Sequence, residues 1–240
     1  MGYKILQQSG NLVETYEYKY DYIQRRIKSR TRAVRRRGVA IRNRRADNLY
    51  RLGGKFSRLV RANLVGGKAP LFVTFTVFED VSVGIAYNYL SRCIQRLRGG
   101  FGKTFRYVAV PEFTKRGRIH FHMLVWGLDY EAETERSKRY IQWAWRRGFV
   151  DCIQTDGSPK LAGYLTKYMR KSMSDERLIS EKAYVCSRNV MRSVRSTFST
   201  AFQYLSEIVG DSKPNKVSVY KTQWLGNCKY TRYLLDFKNV

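Results

Sequence analysis

Only two histidines occur in the 240-residue chain, His120 and His122, and both lie inside RGRIHFHMLVWG (116–127). The β-branched and aromatic run around them predicts a strand over 118–126. Side chains alternate along a strand, so the two imidazoles share one face while Ile119, Phe121 and Met123 point the other way, into a core. Two adjacent imidazoles are half of a metal site, although such a pair alone is more often just two satisfied histidines. The preceding FTKRGRI supplies a third group. A three-residue loop Lys115-Arg116-Gly117, with glycine in the left-handed third position, is a type I turn with a bulge. It pairs Thr114 with Arg118, and therefore Glu112 with His120 on the same face. Two imidazoles and a carboxylate suit a divalent ion that keeps open positions. A two-residue turn would send Glu112 to the other face, and Pro111 loosens the register.

GYLTKYMRK (163–171) offers a second set. At helical spacing Tyr164, Lys167, Tyr168 and Lys171 line one side. On its own this is an amphipathic helix with half-buried tyrosines and solvated lysines. A phenol with a pKa near ~10 is a poor nucleophile unless its target is activated. A divalent ion polarising a phosphate oxygen, with a lysine beside it, would supply that activation.

These groups need elements to hold them. LFVTFTVFED (71–80) reads as a strand, and residues 82–98 carry Ile85, Tyr89, Leu90, Ile94 and Leu97 at helical spacing before a Gly-Gly stop. Strands are expected at 104–113, 118–126 and 148–155, and helices at 133–147 and 156–173. Acidic residues open the first of these helices and basic ones close it. Pro159 near the start of the second suits a helix entry. The order β-α-β-β-α-β-α is that of a split β-α-β fold: α+β, an antiparallel central sheet with helices on one face. GGFGKT (99–104) lacks the first glycine of a phosphate-binding loop, Leu97 standing in its place, and is read as a turn. Beyond 176 a strand near 183–190, a helix near 195–208 and strands near 216–222 and 228–237 are expected. The domain reading is a basic, aromatic-rich arm and short helix over 1–69, a core over 70–175, and an α/β extension of the same domain over 176–240.

Forty-six Lys and Arg against nineteen Asp and Glu give a net charge of +27, which favours salt-sensitive binding to nucleic acid. Eighteen tyrosines among the basic residues are what single-strand binders use, rings stacking on bases while cations follow phosphates. The segment 25–45, with Arg35, Arg36 and Arg37, is basic without an acidic residue and is read as a solvated arm that orders on a polyanion. No apolar run approaches the ~20 residues needed to span a bilayer. Four scattered cysteines without C-x-x-C spacing fit a reducing, cytoplasmic setting rather than a disulfide framework.

FVTFTV (72–77), HFHMLVWG (120–127) and YLTKYMRK (164–171) together resemble, in order and spacing, the HUH endonucleases, most closely the rolling-circle replication initiators of single-stranded DNA phages and related plasmids. The resemblance covers roughly 70–175. It implies that His120, His122 and Glu112 hold Mg²⁺ or Mn²⁺ against a scissile phosphate and that Tyr164 attacks, leaving a 5′-phosphotyrosyl link and a free 3′-OH. It implies that Tyr168 takes the next strand, that Lys167 assists charge development or proton transfer, and that the second step rejoins strands without a nucleotide cofactor. Arg116, Arg118 and Lys171, with the arginines of the basic arm, are the expected DNA contacts. Expected partners are single-stranded origin DNA, a host polymerase and a host helicase, with no membrane. A transposase or relaxase of the same chemistry and a non-catalytic single-strand binder are the alternatives. The binder leaves the histidine pair and its carboxylate unexplained.

Overall fold

The computed structural model describes residues 4–19, 40–64, 69–114, 117–127, 134–178, 181–197, 202–222 and 225–235. Two units are distinguished by their contacts: Met1–Arg51, Arg61–Gly66 and Met191–Val240 in one, Leu52–Val60 and Gly67–Val190 in the other. The boundaries expected from sequence are at 70 and 175.

The second unit carries the histidines. Its strands are β3 (Leu71–Thr76), β4 (Arg106–Phe113), β5 (Ile119–Trp126), β6 (Val150–Gln154) and the short β7 (Val185–Cys186). They form one antiparallel sheet in the order β6-β3-β5-β4-β7. Its helices are α2 (Val83–Phe101), α3 (Thr134–Trp145) and α4 (Lys160–Ser174), together with part of α1 (Ala40–Ala62). Odd-numbered residues of the central strands, among them Val73, Phe75, Ala109, Phe121 and Met123, form a core with Leu90, Cys93 and Leu97 of α2 and Ile141, Ala144 and Trp145 of α3. Alternation in the sequence thus becomes burial on one sheet face.

The expectation that all helices share one face is corrected here. The residues that α4 touches, Phe72, Glu112 and His122, stand on the even-numbered face, opposite the core shared with α2 and α3. Helix α4 is amphipathic, burying Ala162, Leu165 and Met169, so it can cover that face while exposing Lys167 and Lys171. Pro111 lies in β4 beyond the last residue paired with β7, where the missing N–H costs no ladder bond on that side.

The first unit holds β1 (Lys4–Ser9), β2 (Leu12–Tyr18), β8 (Val194–Ser196), β9 (Lys216–Thr222) and β10 (Gly226–Leu234), in the order β8-β1-β2-β10-β9, with the short helix α5 (Leu205–Val209). Leu6, Val13 and Leu235 form its small core, against which Phe202, Leu205 and Ile208 pack. Three sequence readings differ from this. Residues 4–18 form a hairpin where an arm is expected. The helix after Arg51 begins earlier, at Ala40, and of the helix expected near 195–208, Val194–Ser196 is strand, 202–203 and Leu205–Val209 are helical, and 198–201 lie outside the described residues. Among the described residues no helix is long and apolar enough to cross a membrane.

Candidate active site

The hairpin β4–β5 sets the register. Thr114 donates its backbone N–H to Arg118 O at 2.9 Å, and Gly117 has φ +84°, the left-handed geometry that the loop's third position requires. Glu112 therefore lies directly opposite His120, and Val110 opposite His122. On the other side of β5, β3 brings Thr76 opposite His120 and Thr74 opposite His122.

His122 is 6 % exposed. Its Nε2 lies 2.5 Å from Glu112 Oε2, and its Nδ1 lies 3.2 Å from Thr74 Oγ1. An ionised carboxylate only accepts, so Nε2–H donates to Glu112 and the neutral ring accepts from the Thr74 hydroxyl at Nδ1. Phe72 lies near-parallel to the imidazole at 5.7 Å, and the Tyr168 ring stacks on it at 4.2 Å. The other oxygen of Glu112, Oε1, accepts from Lys171 Nζ. His120 is partly buried, with its ring centroid 6.3 Å from that of His122.

Burial lowers the pKa of both imidazoles; the charge on His122 adds to the effect at His120, while at His122 the Glu112 bond opposes it. Both rings are thereby kept neutral at physiological pH. Burial alone would raise the Glu112 pKa, but the bonds from Lys171 and His122 outweigh it and hold the carboxyl below its ordinary range.

Helix α4 brings in the phenols. The hydroxyls of Tyr164 and Tyr168 are hydrogen-bonded at 2.6 Å, with their rings edge-to-face at 4.9 Å. Tyr164 is 48 % exposed and touches Phe72 edge-on at 5.7 Å, whereas Tyr168 is half-buried against His122. Burial, then the Tyr164 hydroxyl and the Glu112 charge, push the Tyr168 pKa up, so its phenolate is disfavoured. The C-terminal turn of α4 is tied to β4, the Ser172 hydroxyl donating to Pro111 O.

Two neutral imidazoles and a carboxylate on one sheet face fit a divalent ion in donor type. They are not gathered as a ready ligand set, because Glu112 is bonded to His122 and to Lys171. Among the described residues no group of three or more His, Cys, Asp or Glu side chains is arranged to hold a metal ion.

Of the residues expected from sequence, the structure brings together Glu112, His120, His122, Tyr164, Tyr168 and Lys171. Lys171, expected on DNA, bonds the Glu112 carboxylate. Lys167 and Arg118 are exposed, on α4 and beside the hairpin loop. Arg116, Arg35, Arg36 and Arg37 lie outside the described residues. Sequence reasoning missed Thr74, Phe72 and Ser172. Alternation in LFVTFT marks Phe72, Thr74 and Thr76 as one face, but only the β3–β5 pairing shows that this face meets the histidines.

Residues 70–173, the stretch from β3 almost to the end of α4, match the family model of the replication-associated protein ORF2/G2P. The match supports a replication-initiator family for this segment, which is under half of the chain. No curated protein and no solved structure matches.

Proposed function

We propose that this protein initiates rolling-circle replication by nicking single-stranded origin DNA with a tyrosine and later rejoining strands by the same chemistry in reverse. One observation carries this reading. Paired phenols and an imidazole–carboxylate set meet on one sheet face, the hydroxyls 2.6 Å apart and the Tyr168 ring 4.2 Å from that of His122. The replication-associated family match over the same segment points the same way.

Tyr164, the more exposed phenol, is the first nucleophile. Its oxygen bonds to phosphorus and gives up its proton, while the bond from phosphorus to the 3′ oxygen breaks and that oxygen takes a proton. The products are a 5′-phosphotyrosyl link and a free 3′-OH for a polymerase to extend. The phosphoester energy is retained, so a later 3′-OH can attack the link and close the strand without a nucleotide cofactor. Tyr168, one helical turn on, serves the second strand while Tyr164 is occupied. Exposed Lys167 balances charge on the phosphate oxygens or supplies the proton to the leaving oxygen. His120, His122 and Glu112 would hold Mg²⁺ or Mn²⁺, which when bound polarises a non-bridging phosphate oxygen. Thr74 and Phe72 orient the His122 ring.

Incubation with labelled single-stranded origin DNA and Mn²⁺, followed by denaturation, should give a covalent protein–DNA adduct on a gel. Tyr164→Phe should cut its yield sharply, and EDTA or the double replacement Tyr164→Phe with Tyr168→Phe should each abolish it. Tight binding with no adduct on any origin-containing strand would leave only a DNA-coating protein.

A further inference from the structure

Two aromatic rings beside the site have no part in the chemistry above. Phe78 and Phe149 are 48 % and 67 % exposed, yet they touch each other edge-to-face at 4.6 Å and 79°. Their backbones are pinned. Phe78 N–H donates to Arg147 O at 2.9 Å, Thr76 N–H donates to Phe149 O at 2.9 Å, and the buried Trp145 indole N–H donates to Thr76 O at 2.8 Å. Gly148 permits this closeness: at φ +145°, a side chain there would put its Cβ 2.0 Å from Thr76 O. The rings are thus held rigidly in water, which is how a stacking surface avoids an ordering cost on binding.

The register fixes their relation to the histidines. Phe75 lies opposite Val150, so Phe149 comes opposite Thr76, which itself lies opposite His120. Glu112, His120, Thr76 and Phe149 form one row across the even-numbered face, with Phe149 about 10 Å from His120 by two strand spacings. Beyond it β6 is the edge strand of the sheet. Arg147 is half-exposed next to the pair, stacked over Tyr89 at 4.4 Å and 3.4 Å from Glu79. Asp151 is exposed two residues along β6 on the same face and would repel a phosphate, favouring a base turned inward and a backbone turned away. An edge-to-face pair leaves the face of one ring free. Unpaired bases offer such a face a partner, whereas the bases of a duplex are already stacked on each other.

We propose that Phe78 and Phe149 form a stacking platform for an unpaired base of the DNA strand whose phosphate lies at His120. This rests on the nicking reading, and it adds where the strand leaves the site: across β3 and over the β6 edge.

The test measures the affinity of the full chain for fluorescein-labelled oligo-dT by anisotropy, because stacking tolerates any base. Phe78→Ala and Phe149→Ala should each weaken binding about 5- to 150-fold, the equivalent of about 1–3 kcal/mol per stacked base, without changing the salt dependence. Phe149→Trp should bind as the parent does and, with unlabelled oligo-dT, show added tryptophan quenching on saturation. Affinities equal to the parent's in both Ala variants, or emission from the introduced indole unmoved by DNA, would overturn the platform. The adduct assay on the parent separates the two readings. An adduct with unchanged affinity in the Ala variants defeats the platform alone. Weakened Ala variants with no parental adduct defeat the nicking alone.

Discussion

Burial keeps both imidazoles of the site from taking a proton, and this has a consequence for stability. Their folded pKa values lie below the ordinary 6.5, so as pH falls through that value the unfolded chain binds protons that the folded chain declines. The stabilisation is complete above 6.5 and is lost progressively below it. Glu112, held below its ordinary 4.5, adds a loss of the same sign at lower pH. The midpoint of thermal unfolding should therefore drop from about pH 7 to about pH 5, and His122→Gln should flatten that drop. A parent midpoint that is constant or rising over this interval would contradict neutral, buried imidazoles. At this scale sequence reached Glu112 and both histidines, because a three-residue loop ending in Gly117 dictates which side chains face each other. It did not reach Thr74 or Phe72, whose strand lies more than forty residues from the histidines. Nor did it reach the bond from Lys171 to Glu112, which needs the angle at which α4 crosses the sheet.

At the scale of elements, the β4–β5 hairpin is the part whose local geometry the site depends on most. A β-branched residue at Gly117 must take up left-handed backbone at a cost of about 1–2 kcal/mol. Gly117→Val should lower stability by about that much and reduce adduct yield as Glu112 loses register with His120. Gly117→Asn, which tolerates the conformation, should recover most of both. Equal stability for Val and Gly would show that the turn does not set the register. The β-α-β-β-α-β-α order was legible because helical and strand periods alternate cleanly from 71 to 173. The β1–β2 hairpin was not read, since Gln, Glu and Tyr blur its alternation. Its signal was nevertheless present in Gly10-Asn11, a two-residue turn with Gly10 at φ +63° between the paired Ser9 and Leu12. The face chosen by α4 could not be read, because an amphipathic helix carries no mark of which side of a sheet it will cover.

For the molecule as a whole, the proposed function assigns binding to the charge of +27 and cleavage to the site. Affinity for single-stranded DNA should reside mainly in Lys and Arg and fall steeply with salt. His120→Ala should then remove the adduct while leaving most of the affinity and the same salt slope. Equal loss of binding and cleavage would mean that His120 serves binding rather than chemistry. The division into two sheets was not visible in the composition, which is basic and aromatic throughout. It follows from pairing between β2 near the start of the chain and β10 near its end, a contact between residues more than two hundred positions apart.

The most direct measurement is mass spectrometry of the trapped adduct after digestion of both protein and DNA. A nucleotide mass on Tyr164 is the expected result, with the residual adduct of Tyr164→Phe carried by Tyr168. A nucleotide on any residue outside helix Lys160–Ser174 would contradict tyrosine attack at this sheet face.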